Sequence, residues 1–170
     1  DLQNESSIVG NLVTVLMMER FGSEAQKEQW IPKMLNGEAR IGFGLTEPLH
    51  GSDATWMETT ATRDGDEWVI TGEKYWNTGL HHATHDYIFA RTSGEPGEGT
   101  GITCFIVPTD SAGFKVEEFM WTFNMPTDHA HVTLNQVRVN HADILGEEGK
   151  GLQTAQLFVH ENRIRQAASS

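Results

Sequence analysis

Two short stretches of this 170-residue sequence carry residue types that can do chemistry. The first is LTEPLHGSD, residues 45–53. Thr46 offers a hydroxyl and a backbone donor. Gly51 and Ser52 offer backbone donors on a chain with little bulk, so an anion such as a phosphate can come close. A Pro/Gly turn without a ligand satisfies the same residues. The second stretch is KYWNTG, residues 74–79. Trp76 stands two positions before Thr78, and on a strand the two point to the same side. A flat ring with a hydroxyl beside it can face a planar heteroaromatic ligand. A core tryptophan with a neighbouring threonine fits the pattern equally.

The eight histidines raise metal chemistry next. His81, His82 and His85 lie in HHATHD with Asp86 adjacent, and His129 and His131 alternate on a strand. Neither group has the HExxH pattern or a cysteine partner, so no metal site is expected and these histidines read as loop residues. A Ser/His/Asp triad lacks the GxSxG elbow that would support it. The segment GEEGKG, residues 146–151, has neither a GKS/GKT ending nor GxGxxG spacing, so the usual nucleotide fingerprints are absent.

Composition narrows the classes further. The 38% of hydrophobic residues and 17 glycines match an ordinary globular chain rather than a disordered one. A net charge of −12 argues against duplex nucleic acid as a partner, because phosphate binding needs a basic stripe. No apolar run reaches the ~20 residues of a membrane helix. The start, DLQNESSIVG, has no basic and apolar leader, so secretion is not expected. The lone cysteine, Cys104, excludes an internal disulfide and fits a reducing compartment.

The elements that must position these stretches follow from periodicity. Leu12, Val13, Leu16, Met17 and Met18 give the opening segment one apolar side, and Phe21-Gly22 ends it. Ser23, with Gln26 three residues on, predicts a capped helix carrying Trp30, Ile31, Met34 and Leu35. Pro32 should kink or restart it, and Asn36-Gly37 should stop it. From Ile41 the pattern becomes β. Strands are expected at 59–63 and 67–70 around the Asp64-Gly65-Asp66 hairpin, with a second turn at Thr71-Gly72-Glu73 leading into 74–77. Further strands are expected at 87–91, 102–107, 114–118, 130–134 and 137–139. About eight short strands predict a barrel or sandwich. Helical periodicity returns after Gly151 through Leu152, Ala155, Phe158, Val159 and Asn162. The lack of a stop signal in that last helix suggests a chain cut inside a larger protein.

Taken together, these segments resemble the acyl-CoA dehydrogenase family. The motifs are collinear: RFGSEAQKEQWIPKMLNGEARIGFGLTEPLHGSD, then RDGDEWVITGEKYWNTG, then GITCFIVPTDSAGFKV and LNQVRVNHADILGEEGKGL. The resemblance implies an α+β chain with a central all-β domain of two packed sheets, flanked by parts of two all-α domains. Residues 1–40 would close the N-terminal helical domain. Residues 41–150 would form the central β-domain that binds flavin and acyl-CoA. Residues 151–170 would start a truncated C-terminal helical domain. The implied cofactor is FAD and the implied substrate an acyl-CoA thioester. In the family a glutamate removes the α-proton while the β-hydrogen leaves as hydride to flavin N5. Electrons then pass to an electron-transfer flavoprotein. A homodimer or homotetramer, in a bacterial cytoplasm or a mitochondrial matrix, is implied as well.

By the same resemblance, Thr46 matches the threonine at the flavin pyrimidine edge, with Phe43 and Leu45 as its neighbours on the strand. Gly51 and Ser52 match the pair near the FAD pyrophosphate, with Ser52 also close to the CoA chain. Trp76 matches the tryptophan packed at the flavin, and Thr78 the hydroxyl near N5. Arg163 matches an arginine that faces the acyl-CoA pocket. Three positions depart from the pattern. His50 replaces a small residue, Asn77 an isoleucine or valine, and Gly79 an asparagine. The minority position for the catalytic glutamate holds Asn162, which cannot take a proton, and Glu161 lies about 100° round the helix from it. No catalytic residue is therefore assigned within the chain, and the isolated piece is expected to be inactive. An acyl-CoA oxidase or nitroalkane oxidase on the same fold, or a binding fragment without turnover, are the alternatives.

Overall fold

The computed structural model describes residues 2–122 and 125–169. Two helices open the chain, α1 (Leu2–Phe21) and α2 (Glu24–Leu35). Ser23 caps α2 as its sequence demands. Its hydroxyl accepts from Gln26 N at 3.2 Å while Gln26 Oε1 accepts from Ser23 N at 3.0 Å. Asn36 ends the helix, with Gly37 at φ 82° just after it. Pro32 does not restart α2 as a second helix. The helix runs through it as one element and has only its last turn beyond the proline. No described helix is long and apolar enough to cross a membrane.

Seven strands follow: β1 (Ile41–Gly44), β2 (Thr60–Asp64), β3 (Glu67–Thr78), β4 (His85–Arg91), β5 (Ile102–Pro108), β6 (Phe114–Thr122) and β7 (Met125–Asn140). Helix α3 (Gly151–Ser169) closes the described chain. The hydrogen-bonded order is β1-β4-β2-β3-β7-β6, with β5 on β4 and β1 also touching β3. The strands thereby fold over into two layers, one led by β4 and β5 and the other by β3, β7 and β6. Ile88, Ala90, Phe105 and Val107 from the first layer meet Trp68, Ile70, Val132, Leu134 and Val137 from the second. The intervening residues of β4 and β5, namely Tyr87, Phe89, Ile102, Cys104 and Ile106, face the helices with Met17, Met18, Trp30 and Ala155. Strands buried on both sides favour apolar residues at nearly every position, which is why YIFA and ITCFIV read as near-continuous runs, with Thr103 satisfied by Thr92 Oγ1 at 2.8 Å.

Two expected breaks are bulges instead. No turn forms at Thr71-Gly72-Glu73; β3 continues through it. The segments 130–134 and 137–139 are likewise one strand, β7. Between the pairs Ile70/Val137 and Gly72/Leu134, β7 carries an extra residue. Between Lys74/Val132 and Asn77/Ala130 the extra residue is on β3. Among the described residues the two non-glycine positions with positive φ, Gln136 (54°) and Trp76 (64°), sit in these two bulges.

Candidate functional site

The second bulge builds the site. Regular alternation from buried Lys74 would send Trp76 inward and Asn77 outward. The extra residue reverses this. Lys74 and Asn77 are both fully buried, while Trp76 is 44% exposed and Thr78 is exposed too. A left-handed φ on a tryptophan costs roughly 1–2 kcal/mol, and a bulge that re-aims a side chain at such a cost marks a candidate functional position. The ring of Trp76 stands edge-on to His129 at 6.2 Å between centroids. Thr78 Oγ1 lies 3.0 Å from His129 Nδ1.

The segment after β1 lies alongside. Phe43 is paired with Thr78, and Thr46 O accepts from Tyr75 N at 2.9 Å. Both contacts belong to one antiparallel register, so Phe43, Leu45 and Thr46 run beside Trp76 and Thr78. The side chains of Phe43 and Leu45 turn toward the helices. Phe43 stacks on Phe158 of α3 at 3.8 Å and 7°, and tilts against Phe89 at 5.2 Å and 60°. Gly51 and Ser52 are exposed in the loop beyond, with open space where a Cβ on Gly51 would stand. Asp53 ends that loop by accepting from Thr55 N at 3.0 Å, which starts a short 3-10 turn. Arg163 is exposed on α3, beyond Phe158. No described hydrogen bond joins Gly51, Ser52 or Arg163 to the Thr46–Thr78 group.

A buried ionic and polar layer supports this surface, and only part of it was legible in advance. Glu47 accepts from Glu58 N at 2.6 Å, Thr59 N at 2.9 Å and Lys74 Nζ at 2.8 Å. Lys74 also donates to Leu45 O at 3.3 Å. Thr46 is thus clamped on both sides by one ion pair whose side chains are 0% and 4% exposed. Burial pushes the Lys74 ammonium down to about 8, against the pull of Glu47. Burial pushes Glu47 up, yet the Lys74 charge and its hydrogen bonds outweigh this and hold the carboxyl below its usual value. Asn77 donates to Asp86 Oδ2 at 2.5 Å, and burial pushes the Asp86 carboxyl up to about 7. The sequence around Lys74, TGEKYWN, carries no signal of a buried lysine. For Asp86 the signal was an acid directly before Tyr87-Ile88-Phe89.

The histidines disperse. His85 packs edge-on against Trp30 at 4.6 Å, and His81 lies beside His82 and Phe119. Asp86, their sequence neighbour, turns inward. His131 pairs with Glu73 and tilts against Tyr75. Among the described residues no three His, Cys, Asp or Glu side chains gather as a metal site. A cleft of about 620 Å³ lined by Arg20, Gln26, His141 and Lys150 shares no residue with the Trp76 surface.

Residues 42–137 match the family model described as acyl-CoA dehydrogenase, middle domain, and residues 4–38 match the acyl-CoA dehydrogenase N-terminal domain. Acyl-CoA dehydrogenase FadE29 of Mycobacterium tuberculosis is 37% identical over 151 residues, which cover 86% of this chain and 38% of that protein. The mitochondrial short-chain specific acyl-CoA dehydrogenase of Rattus norvegicus is 35% identical over 148 residues, covering 85% of this chain and 35% of that protein. A solved glutaryl-CoA dehydrogenase from Mycobacterium smegmatis, in complex with FADH2, superposes with a TM-score of 0.76 at 33% identity, covering 88% of this chain and 37% of that one. The chain spans less than two fifths of the length of these relatives. A middle-domain match over more than half its residues, spanning Thr46, Trp76 and Thr78, means that the chain belongs to the acyl-CoA dehydrogenase family.

Proposed function

We propose that this chain supplies the flavin-facing wall of an FAD-dependent acyl-CoA dehydrogenase that oxidises the α,β-bond of acyl-CoA thioesters. The observation that carries the reading is the Trp76 bulge, which presents an exposed indole and the Thr78 hydroxyl beside the clamped Thr46 backbone. These groups fit an isoalloxazine. The indole gives its planar rings an apolar surface and excludes water on that side. Thr46 and Thr78 offer donors for a ring system that gains negative charge on reduction. The open backbone at Gly51 and Ser52 suits a pyrophosphate. FAD, when bound, supplies the hydride acceptor at N5.

Thr78 Oγ1 also lies 3.5 Å from Trp76 O, and it keeps its His129 bond while donating outward when its oxygen accepts from His129. That requires the proton on Nδ1 of His129, 3.0 Å away. Thr78 is therefore oriented by His129 as well as by its strand. Ser52 and Arg163 would meet the acyl-CoA, and the glutamate base would come from outside residues 1–170. The division into residues 1–40, 41–150 and 151–170, electron transfer to an electron-transfer flavoprotein, a homodimer or homotetramer, and a bacterial cytoplasmic or mitochondrial matrix setting belong to the same proposal for the whole protein. The test is an absorption spectrum of the purified chain after FAD is added and the excess removed. A retained, perturbed flavin band supports the reading. A folded chain, at full occupancy of the Trp76 surface by solvent, that leaves FAD free at micromolar concentration counts against residues 43–78 being sufficient for it.

A further inference from the structure

Asn77 and Asp86 are each fully buried, between β1, β3 and β4. Beyond their 2.5 Å bond, one oxygen on each has no partner: Asn77 Oδ1 and Asp86 Oδ1. The space around them is closed. A Cβ on Gly42 would come within 2.9 Å of Asp86 Oδ1, and one on Gly44 within 2.6 Å of Asn77 Nδ2. Two orphan acceptors in such a pocket are costly; the Tyr87 backbone N–H favours the charged form of Asp86, but an ionised carboxylate has no proton to give to Asn77 Oδ1. One proton relieves both. A protonated carboxyl offers one O–H and one acceptor, and a primary amide offers the complementary N–H and acceptor. Matched pairwise, the two groups leave neither of these oxygens without a partner.

The titratable groups that face Asp86 do not substitute for that proton. Lys74 from β3 is the nearest cation, and its hydrogen bonds run to Glu47 and Leu45. Cys104 from β5 is a thiol that burial holds protonated. We propose that Asp86 carries a proton in the folded chain, and that its acid–amide pair with Asn77 fixes the backbone between Trp76 and Thr78. Asp86 is then a positioning residue for the bulge. The purpose assigned to it rests on the flavin reading, whereas the pair itself does not. Its carboxyl, pushed up to about 7 by burial, agrees with the geometry. It also makes the pair sensitive to pH. Stability from an acid raised in the folded state is fully present below its unfolded value near 3.8 and is lost as pH rises through about 7.

Three measurements on the full chain decide the matter. Infrared spectra at about pH 6, where ordinary carboxylates are ionised, should show a protonated-carboxyl band in the wild type that Asp86→Asn removes. Asp86→Asn, neutral at every pH, should also lose the fall in stability between pH 4 and 7. Hydrogen exchange across residues 75–79 should quicken at least about tenfold in Asp86→Ala and by less than about twofold in Asp86→Asn. If Asp86→Ala does not fold, Asn77→Ala gives the same readout from the other side of the pair. Absence of the infrared band, or an unchanged pH dependence in Asp86→Asn, overturns the protonated pair. Unchanged exchange in the alanine variants overturns the positioning role. FAD retention is scored separately: a wild type that fails to hold flavin but meets all three expectations counts against residues 43–78 sufficing for flavin and leaves the pair standing.

Discussion

Glu47→Gln is the perturbation that tests the support beneath Thr46 most directly. Three donors converge on the Glu47 carboxylate: Lys74 Nζ, Glu58 N and Thr59 N. A glutamine keeps one acceptor oxygen and turns an NH2 toward the remaining donors. At least one buried N–H loses its partner, and the Lys74 charge, 0% exposed, loses its counterion. Breaking a buried pair from one side costs about 3–5 kcal/mol, a large share of the ~5–15 kcal/mol that holds a domain folded. For a chain of this size that lowers Tm by roughly 10 °C. Urea unfolding at pH 7, followed by tryptophan fluorescence, reads it directly. The pH dependence supplies a second check. Lys74 has a depressed value in the fold, about 8 against 10.5. Its contribution is present above 10.5 and lost as pH falls through 8, and removing Glu47 moves that loss to lower pH. The deficit of Glu47→Gln should therefore shrink as pH rises toward about 8, where Lys74 stays charged in the wild type but not in the variant, and level off above it. A loss below about 1 kcal/mol at pH 7, or a deficit that does not change with pH, would refute the argument that this pair is a dry, mutually dependent clamp.

Thr78→Ala in the full-length protein should slow flavin reduction in single turnover by about a hundredfold and leave substrate affinity within about twofold, as expected when a donor serves developing charge; an unchanged rate removes Thr78 from that role. Ser23→Ala removes the hydroxyl half of the α2 capping box and should cost about 1 kcal/mol in urea unfolding. A variant as stable as the wild type would mean that α2 is held by its packing alone. After dialysis against a chelator the chain should carry no stoichiometric zinc by elemental analysis, since HHATHD points its residues to three different places; one zinc per chain would reverse that reading of the histidines.

Most of the architecture was legible because its signals are local. The capping box of Ser23 and Gln26, the Asp64-Gly65-Asp66 hairpin and the doubly buried runs of β4 and β5 each follow from residues a few positions apart. Turn chemistry misled at Gly72. Thr-Gly-Glu has the composition of a turn, and what it makes is an unbroken strand passing a bulge in its partner. That difference is set by which of two strands holds the extra residue, and no single stretch of sequence states it. Pro32 leaves α2 in one piece for a related reason. A proline in the last turn of a helix removes little that the docked face, with Trp30 and Met34 buried, cannot hold in place.

Trp76 and Thr78 were read as neighbours on one side of a strand, and both are exposed. Yet the reason differs from the one that alternation supplies. On a regular strand Trp76 would share the inward side of Lys74 and lie in the core. The bulge turns it outward and turns Asn77 inward in its place. Asn77 taken alone looked like an isolated polar departure from an apolar position. Buried by itself it would cost several kcal/mol of lost hydration, roughly 2–7 by transfer measurements. Its partner is Asp86, across the sheet on β4, and the two polar residues make sense only together. Gly42 and Gly44 on β1 are the third part, since any side chain there would displace the pair. Four residues on three strands thus form one device beneath the surface that presents Trp76 and Thr78. A double-mutant cycle should show it: Asn77→Ile with Asp86→Val should be less damaging than the two single costs added, because each single change strands the other's polar group and the double change strands none. Additive costs would mean that the two residues act independently, and the device would dissolve into two unrelated substitutions.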